Sequence, residues 1–458
     1  MTVVAGTFGG FAGLTPMRLC LLCCLSFLFA TSLGAAEPAA ASKPPNILMI
    51  ISDDQAWTDY GFMGSKFIQT PNIDRLAAES RTFPHGYDTN SLCSPSLASI
   101  LTGRHVHRHG VTGNDPPTAV IKAVPGAKKA AGGKQKGADF TDGRAQLVKL
   151  FEQSPQLPRL LAERGYVSLQ TGKWWMGDYT HGGFTEGMTK GSRHGDEGLD
   201  IGRKTLAPLT DFISRAKKDG KPFLAWYAPM MPHDPHNPPE RLLAKYRDKA
   251  PTEWAARYWA MIEWFDETVG AVRAHLEKEG LTNDTIIVYI SDNGWIPDPK
   301  KPKVDFDRSK MSPFDGGIRS PLLVSWPGHI KPVSLDYPVS AVDIMPTLLK
   351  LAGAKVPADG DGIDLLDDEA LRSRPFIAGQ NSTHDIVQIG NPASSLRYRW
   401  MVAGDWKLIV SSGLNGATEP PRLFNLKQDA EELHDLAAAQ PARLAELQKL
   451  LDGWWSGR

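Results

Sequence analysis

The chain has 458 residues, with 51 Lys+Arg against 51 Asp+Glu, 41% hydrophobic residues, 43 Gly and 35 Pro. This is a globular composition, long enough for one large domain with an appendage or for two to three ordinary ones. A net charge of zero leaves no basic footprint, which argues against nucleic acid as a partner.

At the N terminus Arg18 precedes an apolar run over 19–30, and small residues follow through Ala35 and Ala36. This pattern reads as a cleavable export signal over 1–36. At about 12 residues the run is too short for a lasting membrane anchor, which needs roughly 20. The mature protein is expected to be soluble and exported, secreted or periplasmic, without a stable membrane anchor. Cys20, Cys23 and Cys24 lie inside the signal, so Cys93 is the one cysteine of the mature chain. A lone thiol in an oxidising compartment is either buried in packing or modified.

The first folded element is a continuous apolar run over 46–52 without alternation, as in a strand covered on both faces of a parallel sheet. It ends at Asp53-Asp54, and a second such run over 285–291 ends at Asp292-Asn293-Gly294. Helical periodicity spans 73–80, 158–164, 206–218 and 253–278, and shorter strands fit 167–170, 222–227 and 321–326. Strands alternating with helices give an α/β fold with a mostly parallel central sheet flanked by helices. Residues 114–145 are rich in Lys, Ala, Gly and Pro without periodicity and read as a surface insertion. Its Lys128, Lys129, Lys134 and Lys136 either solvate a loop or face an anionic substrate. Beyond about residue 385 two strands, 397–403 and 406–411, meet at Gly404-Asp405, and Leu444, Leu447, Leu450 and Leu451 follow at helical spacing. The expected organisation is a signal over 1–36, an α/β domain over 37–385 and a C-terminal subdomain of antiparallel sheet plus helix over 386–458.

In open α/β sheets ligands gather outside the carboxyl ends of the strands, where both acidic clusters fall. Singly, each cluster is an ordinary turn former. Together, Asp53, Asp54, Asp292 and Asn293 make a hard oxygen set suited to Ca²⁺, with Mg²⁺ possible, rather than zinc.

The run Ser91-Leu92-Cys93-Ser94-Pro95-Ser96-Leu97-Ala98-Ser99-Ile100-Leu101-Thr102-Gly103-Arg104 resembles the signature of the type I sulfatases, members of the alkaline-phosphatase-like superfamily. Gly172-Lys173-Trp174, His233 in Pro232-His233-Asp234-Pro235, and Lys310 ahead of Phe314-Asp315-Gly316-Gly317-Ile318-Arg319-Ser320-Pro321 match further blocks in order. The resemblance spans about residues 45–350, and Arg422-Leu423-Phe424-Asn425-Leu426 with Glu431, Glu432 and Leu436 extends it into the subdomain. It implies that Cys93 is converted to formylglycine by a formylglycine-generating enzyme and that the two acidic clusters hold a metal. It further implies that Lys173 and Lys310 bind sulfate and that His233 protonates the leaving alcohol. Two positions depart from the family. Leu97 stands where it has an arginine, and Trp175 where it has a histidine.

These residues describe an exported, metal-dependent sulfuric-ester hydrolase acting on sulfated carbohydrates or small sulfate esters. A hydrated aldehyde offers one hydroxyl for attack at sulfur and a second for expelling sulfate, a route a thiolate lacks. Trp174 or Trp175 is expected to line the substrate side of the pocket, and His181 or another nearby group to replace the family histidine. His194, His236 and Arg193 are further loop candidates. Two other readings use the same residues: a phosphoester or phosphonate hydrolase, and a non-catalytic binder of sulfated glycans.

Overall fold

The computed structural model describes residues 43–117, 138–300 and 307–458. The expected signal and the four insertion lysines lie outside the described residues. In chain order the strands are β1 (Asn46–Ser52), β2 (Arg81–Phe83), β3 (Gly86–Tyr87), β4 (Val167–Gly172), β5 (Glu186–Gly187), β6 (Phe223–Ala228) and β7 (Thr285–Ser291). They continue with β8 (Leu322–Ser325), β9 (Val333–Ser334), β10 (Val339–Ser340), β11 (Ile377–Ser382), β12 (Leu396–Ala403), β13 (Trp406–Ser411) and β14 (Arg422–Asn425). One sheet runs β5-β4-β6-β1-β7-β8-β2-β9. Its β5-to-β7 part is parallel, whereas β8 is antiparallel to both β7 and β2.

Every residue of β1 is buried because helices cover both faces. Ile47, Met49 and Ile51 point into one core with Trp226 and Val288, and Leu48 and Ile50 point into the other with Tyr227, Met261 and Phe265. The helix Glu253–Lys278 is capped by Thr252, which accepts from the Ala255 amide at 3.1 Å. It buries Met261, Phe265, Val269, Val272 and Leu276, the three- and four-residue spacing of one helix face.

The C-terminal sheet is antiparallel, in the order β11-β12-β13-β14. One face packs Met401, Leu408 and Leu423 on Leu447 and Leu451 of the helix Pro441–Trp454. The other packs Trp400, Ile409 and Phe424 against Tyr87, Phe314 and Ile318. This sheet begins at Ile377, ahead of the boundary expected at 385. Gln380, Asn381 and Ser382 make β11 look like a loop, yet all three are buried. They face polar partners, with Asn381 donating to Ser91 Oγ at 2.6 Å and the Gln380 amide to Thr89 O at 3.0 Å. The segment 114–145 also differs from a plain surface insertion. Its last part opens the helix Ala138–Phe151, and Asn114 and Asp115 at its start are buried.

Candidate active site

Four adjacent parallel strands deliver polar side chains to one edge: Lys173 directly after β4, His233 in the loop after β6, Asp53 and Asp54 after β1, and Asp292 and Asn293 after β7. Backbone bonds lace these ends together, Asp53 N to Met231 O and Asp292 N to Ser52 O, both at 2.9 Å. Gly172 allows the chain to turn into Lys173, because its φ is +79° and a Cβ there would lie 1.8 Å from Ala228 O. Asp54 is itself left-handed, at φ 65°. Its amide is held by Asp292 Oδ1 at 3.2 Å and its carbonyl by the Tyr258 hydroxyl at 3.0 Å. A strained non-glycine residue fixed by its surroundings is common where function needs one geometry.

Cys93 opens the helix Cys93–Thr102 and is 1% exposed, at the end of a helix that favours negative charge. Its Sγ lies 3.2 Å from Lys310 Nζ, 3.7 Å from Lys173 Nζ and 3.8 Å from Asp53 Oδ1. Lys173 donates to Asp53 Oδ1 at 2.7 Å, and Lys310 donates to Asp54 Oδ1. His233 Nε2 stands 3.5 Å from Asp54 Oδ2, and the Asn293 amide donates to Asp54 Oδ1 at 2.7 Å. The structure thus brings together Cys93, Lys173, His233, Lys310, Asp53, Asp54, Asp292 and Asn293.

Burial opposes charge on Asp54, but Lys310, His233 and Lys173 outweigh it and hold the carboxyl well below its usual range. At Asp292 burial dominates and Asp53 adds to it, so that carboxyl is pushed well up. Burial likewise pushes the Cys93 thiol well up, which keeps an unmodified thiol protonated and weakly nucleophilic. Asp292 Oδ2 and Asn293 Oδ1 are buried with no hydrogen-bond partner. Orphaned oxygens beside paired carboxylates are costly unless a cation meets them, and an all-oxygen set of this charge fits a hard divalent ion.

Trp175 is 3% exposed, with Lys173 Nζ 5.0 Å from its ring centre. It is therefore a wall behind the lysine rather than an open platform. Trp174 packs in the core against Phe151 and Phe184. Leu97 and Trp175 line one small cavity with Ala98, Phe151 and Met176, so both departures from the family fall on the same apolar space. His181 is not part of this group. Asp178 caps the turn Tyr179–Gly182, and the imidazole bonds Glu152 Oε1 at 2.8 Å through Nδ1. His236 sits among the rings of Trp254, Tyr258 and Trp295, and burial lowers it to about 4. Asn114, read from the sequence as insertion, accepts from the Ser94 amide at 3.0 Å beside the nucleophile position. Nothing local distinguishes it from a turn residue.

The family model for sulfatases matches residues 45–354, and the model for the C-terminal part of N-sulphoglucosamine sulphohydrolase matches 305–453. The chain belongs to the sulfatase family. This sulfatase is 27% identical over 508 residues to N-acetylgalactosamine-6-sulfatase of Canis lupus familiaris, covering 96% of this chain and 89% of the relative. It is 26% identical to arylsulfatase A of Homo sapiens over 498 residues, covering 91% and 89%. Among solved structures, Ps i-CgsB in complex with k-i-k-neocarrahexaose superposes with a TM-score of 0.69 at 25% identity, covering 91% of this chain and 94% of that one.

Proposed function

We propose that this sulfatase hydrolyses sulfate esters of carbohydrates, with Cys93 as formylglycine and one divalent cation, Ca²⁺ or Mg²⁺, on Asp53, Asp54, Asp292 and Asn293. The observation that carries the reading is the convergence of Lys173 and Lys310 on Cys93 Sγ next to a buried oxygen set. A carbohydrate substrate is favoured by the amino-sugar sulfatase and the carrageenan oligosaccharide complex among its relatives. The formylglycine hydrate supplies a hydroxyl nucleophile and a route for sulfate release, and the cation supplies positive charge beside it. Lys173 and Lys310 hold sulfuryl oxygens as point charges where negative charge builds. His233 Nδ1 lies 2.6 Å from the Asp234 carbonyl, which assigns it a proton. Nε2, 3.5 Å from Asp54 Oδ2, carries a second proton in the imidazolium form, which burial and Lys173 oppose and Asp53 and Asp54 favour. That form passes the Nε2 proton to the leaving alcohol oxygen. Maturation calls for a formylglycine-generating enzyme as partner, and export calls for the 1–36 signal.

A panel of sugar sulfates, nitrophenyl sulfate and the matching phosphate and phosphonate esters tests the reading, together with the mass of the tryptic peptide carrying Cys93. Turnover of sulfates and an aldehyde mass are expected. Preference for phosphorus esters, or a free thiol with no turnover in protein from the native host, overturns it.

A further inference from the structure

We infer that His194 is a further substrate-contacting residue, a neutral imidazole that donates a hydrogen bond to a sulfuryl oxygen beside Lys173. This rests on the sulfatase reading and deepens it. The His194 ring centre lies 4.7 Å from that of Trp175 and 6.1 Å from that of His233, and Lys173 Nζ lies 5.0 Å from the same Trp175 ring centre. Imidazole, indole, ammonium and proposed general acid therefore form one contiguous wall. A bound sulfuryl group presents three non-ester oxygens, each able to accept more than one hydrogen bond, so a donor beside the two lysines has an acceptor to meet.

The backbone holds His194 there against its preference. Its φ is 69° and ψ 0°, and Asp196 follows at φ 54° and ψ −126°, conformations that L-residues with a Cβ avoid. Clamps on both sides enforce them. Arg193 grips Asp115 through Nε at 2.8 Å and through its NH2 nitrogen at 2.9 Å. Asp196 Oδ2 accepts from the amides of Lys190 at 2.8 Å and Ser192 at 2.9 Å. Between them Gly195 presses on β4, where a Cβ would lie 2.2 Å from Gly172 O, next to Lys173. Such over-determined strain marks a residue whose position is used.

The contacts also fix the proton. The Arg193 guanidinium can only donate, and it donates to His194 Nε2, so the ring proton is on Nδ1. Burial, reinforced by Lys173, pushes the imidazole down to about 2. His194 thus offers an N–H without carrying charge.

Glycine tolerates the left-handed backbone but removes the ring, and asparagine tolerates it while keeping an N–H donor. The experiment measures Ki for inorganic sulfate against nitrophenyl sulfate hydrolysis, sulfate binding by thermal shift, and melting temperature, for wild type, His194→Gly and His194→Asn. His194→Gly is expected to raise KM and sulfate Ki about ten-fold, the loss of one hydrogen bond, with melting temperature unchanged or higher. His194→Asn is expected to recover most of the affinity. Unchanged sulfate Ki in His194→Gly, or a lower melting temperature with unchanged KM, overturns the inference while leaving the sulfatase reading intact. A wild type that neither binds sulfate nor turns over any sulfate ester overturns both.

Discussion

At the scale of single residues, His233 and His109 make opposite demands on a proton. A sugar hydroxyl leaves poorly unless protonated, whereas a nitrophenolate needs little help. Replacing His233 by Gln should therefore lower kcat on a sugar sulfate by roughly 10² to 10⁴ and far less on nitrophenyl sulfate, read from parallel kinetics on the two substrates. His109 is 1% exposed; its Nδ1 accepts from the Val111 amide at 3.1 Å and its Nε2 lies 3.0 Å from Ser99 Oγ. Burial, with His107 and His105 adding to it, lowers it to about 3. A histidine whose folded pKa lies below its unfolded value stabilises the fold fully above pH 6.5 and yields that stability as pH falls. By pH 4.5 the loss is about 3 kcal/mol, so melting temperature should fall more steeply from pH 6.5 to 4.5 in wild type than in His109→Gln. Equal slopes would contradict this. The acidic residues of the site were legible because each ends an apolar run. His181 and His194 look alike in sequence, both beside glycine in loops, and only the clamps on Arg193 and Asp196 distinguish them.

At the scale of elements, the C-terminal sheet reaches the site through a buried ion cluster. Lys407 of β13 meets Asp315 Oδ1 at 2.6 Å and Glu432 Oε1 at 2.7 Å, and Glu432 Oε2 accepts from the Asp315 amide at 2.6 Å. Arg308 donates to the Glu432 carbonyl, and the Met311 amide donates to Ser91 O at 3.2 Å. Lys310 is strung between those two anchors. Lys407→Met leaves two buried carboxylates with neutral donors from Tyr87 and the Asp315 amide and, as the one cation in an ion pair with either among the described residues, Arg319, 3.6 Å from Asp315. It should cost about 3–5 kcal/mol. Activity assayed below both melting points should fall as well, because Lys310 loses its fixed setting. Adding Glu432→Gln should restore part of the stability. A double variant no more stable than the single one would refute the coupling.

At the scale of the whole molecule, β1 and β7 were read with their observed limits because strands covered on both faces are uniformly apolar. The antiparallel setting of β8 was not legible, since a short apolar run reads the same in either direction. A cation held after both β1 and β7 would bind the folded chain alone, adding about 2.7 kcal/mol at a hundred-fold excess over Kd. Chelation should lower the wild-type melting temperature and Ca²⁺ restore it, and Asp54→Ala should respond to neither. A calcium shift that persists in Asp54→Ala would remove Asp54 from the ligand set.

Lys407 and Glu432 stand late in the chain, while Cys93 stands early and is 1% exposed once folded. A ribosome makes the chain from its N terminus, so the segment bearing Lys310 emerges before the residues that anchor it. Until β13 and Glu432 are synthesised, the Lys407 and Glu432 contacts that set one wall of the site cannot form. If Cys93 is matured as proposed, the order of translation would give that step an interval that the finished fold closes.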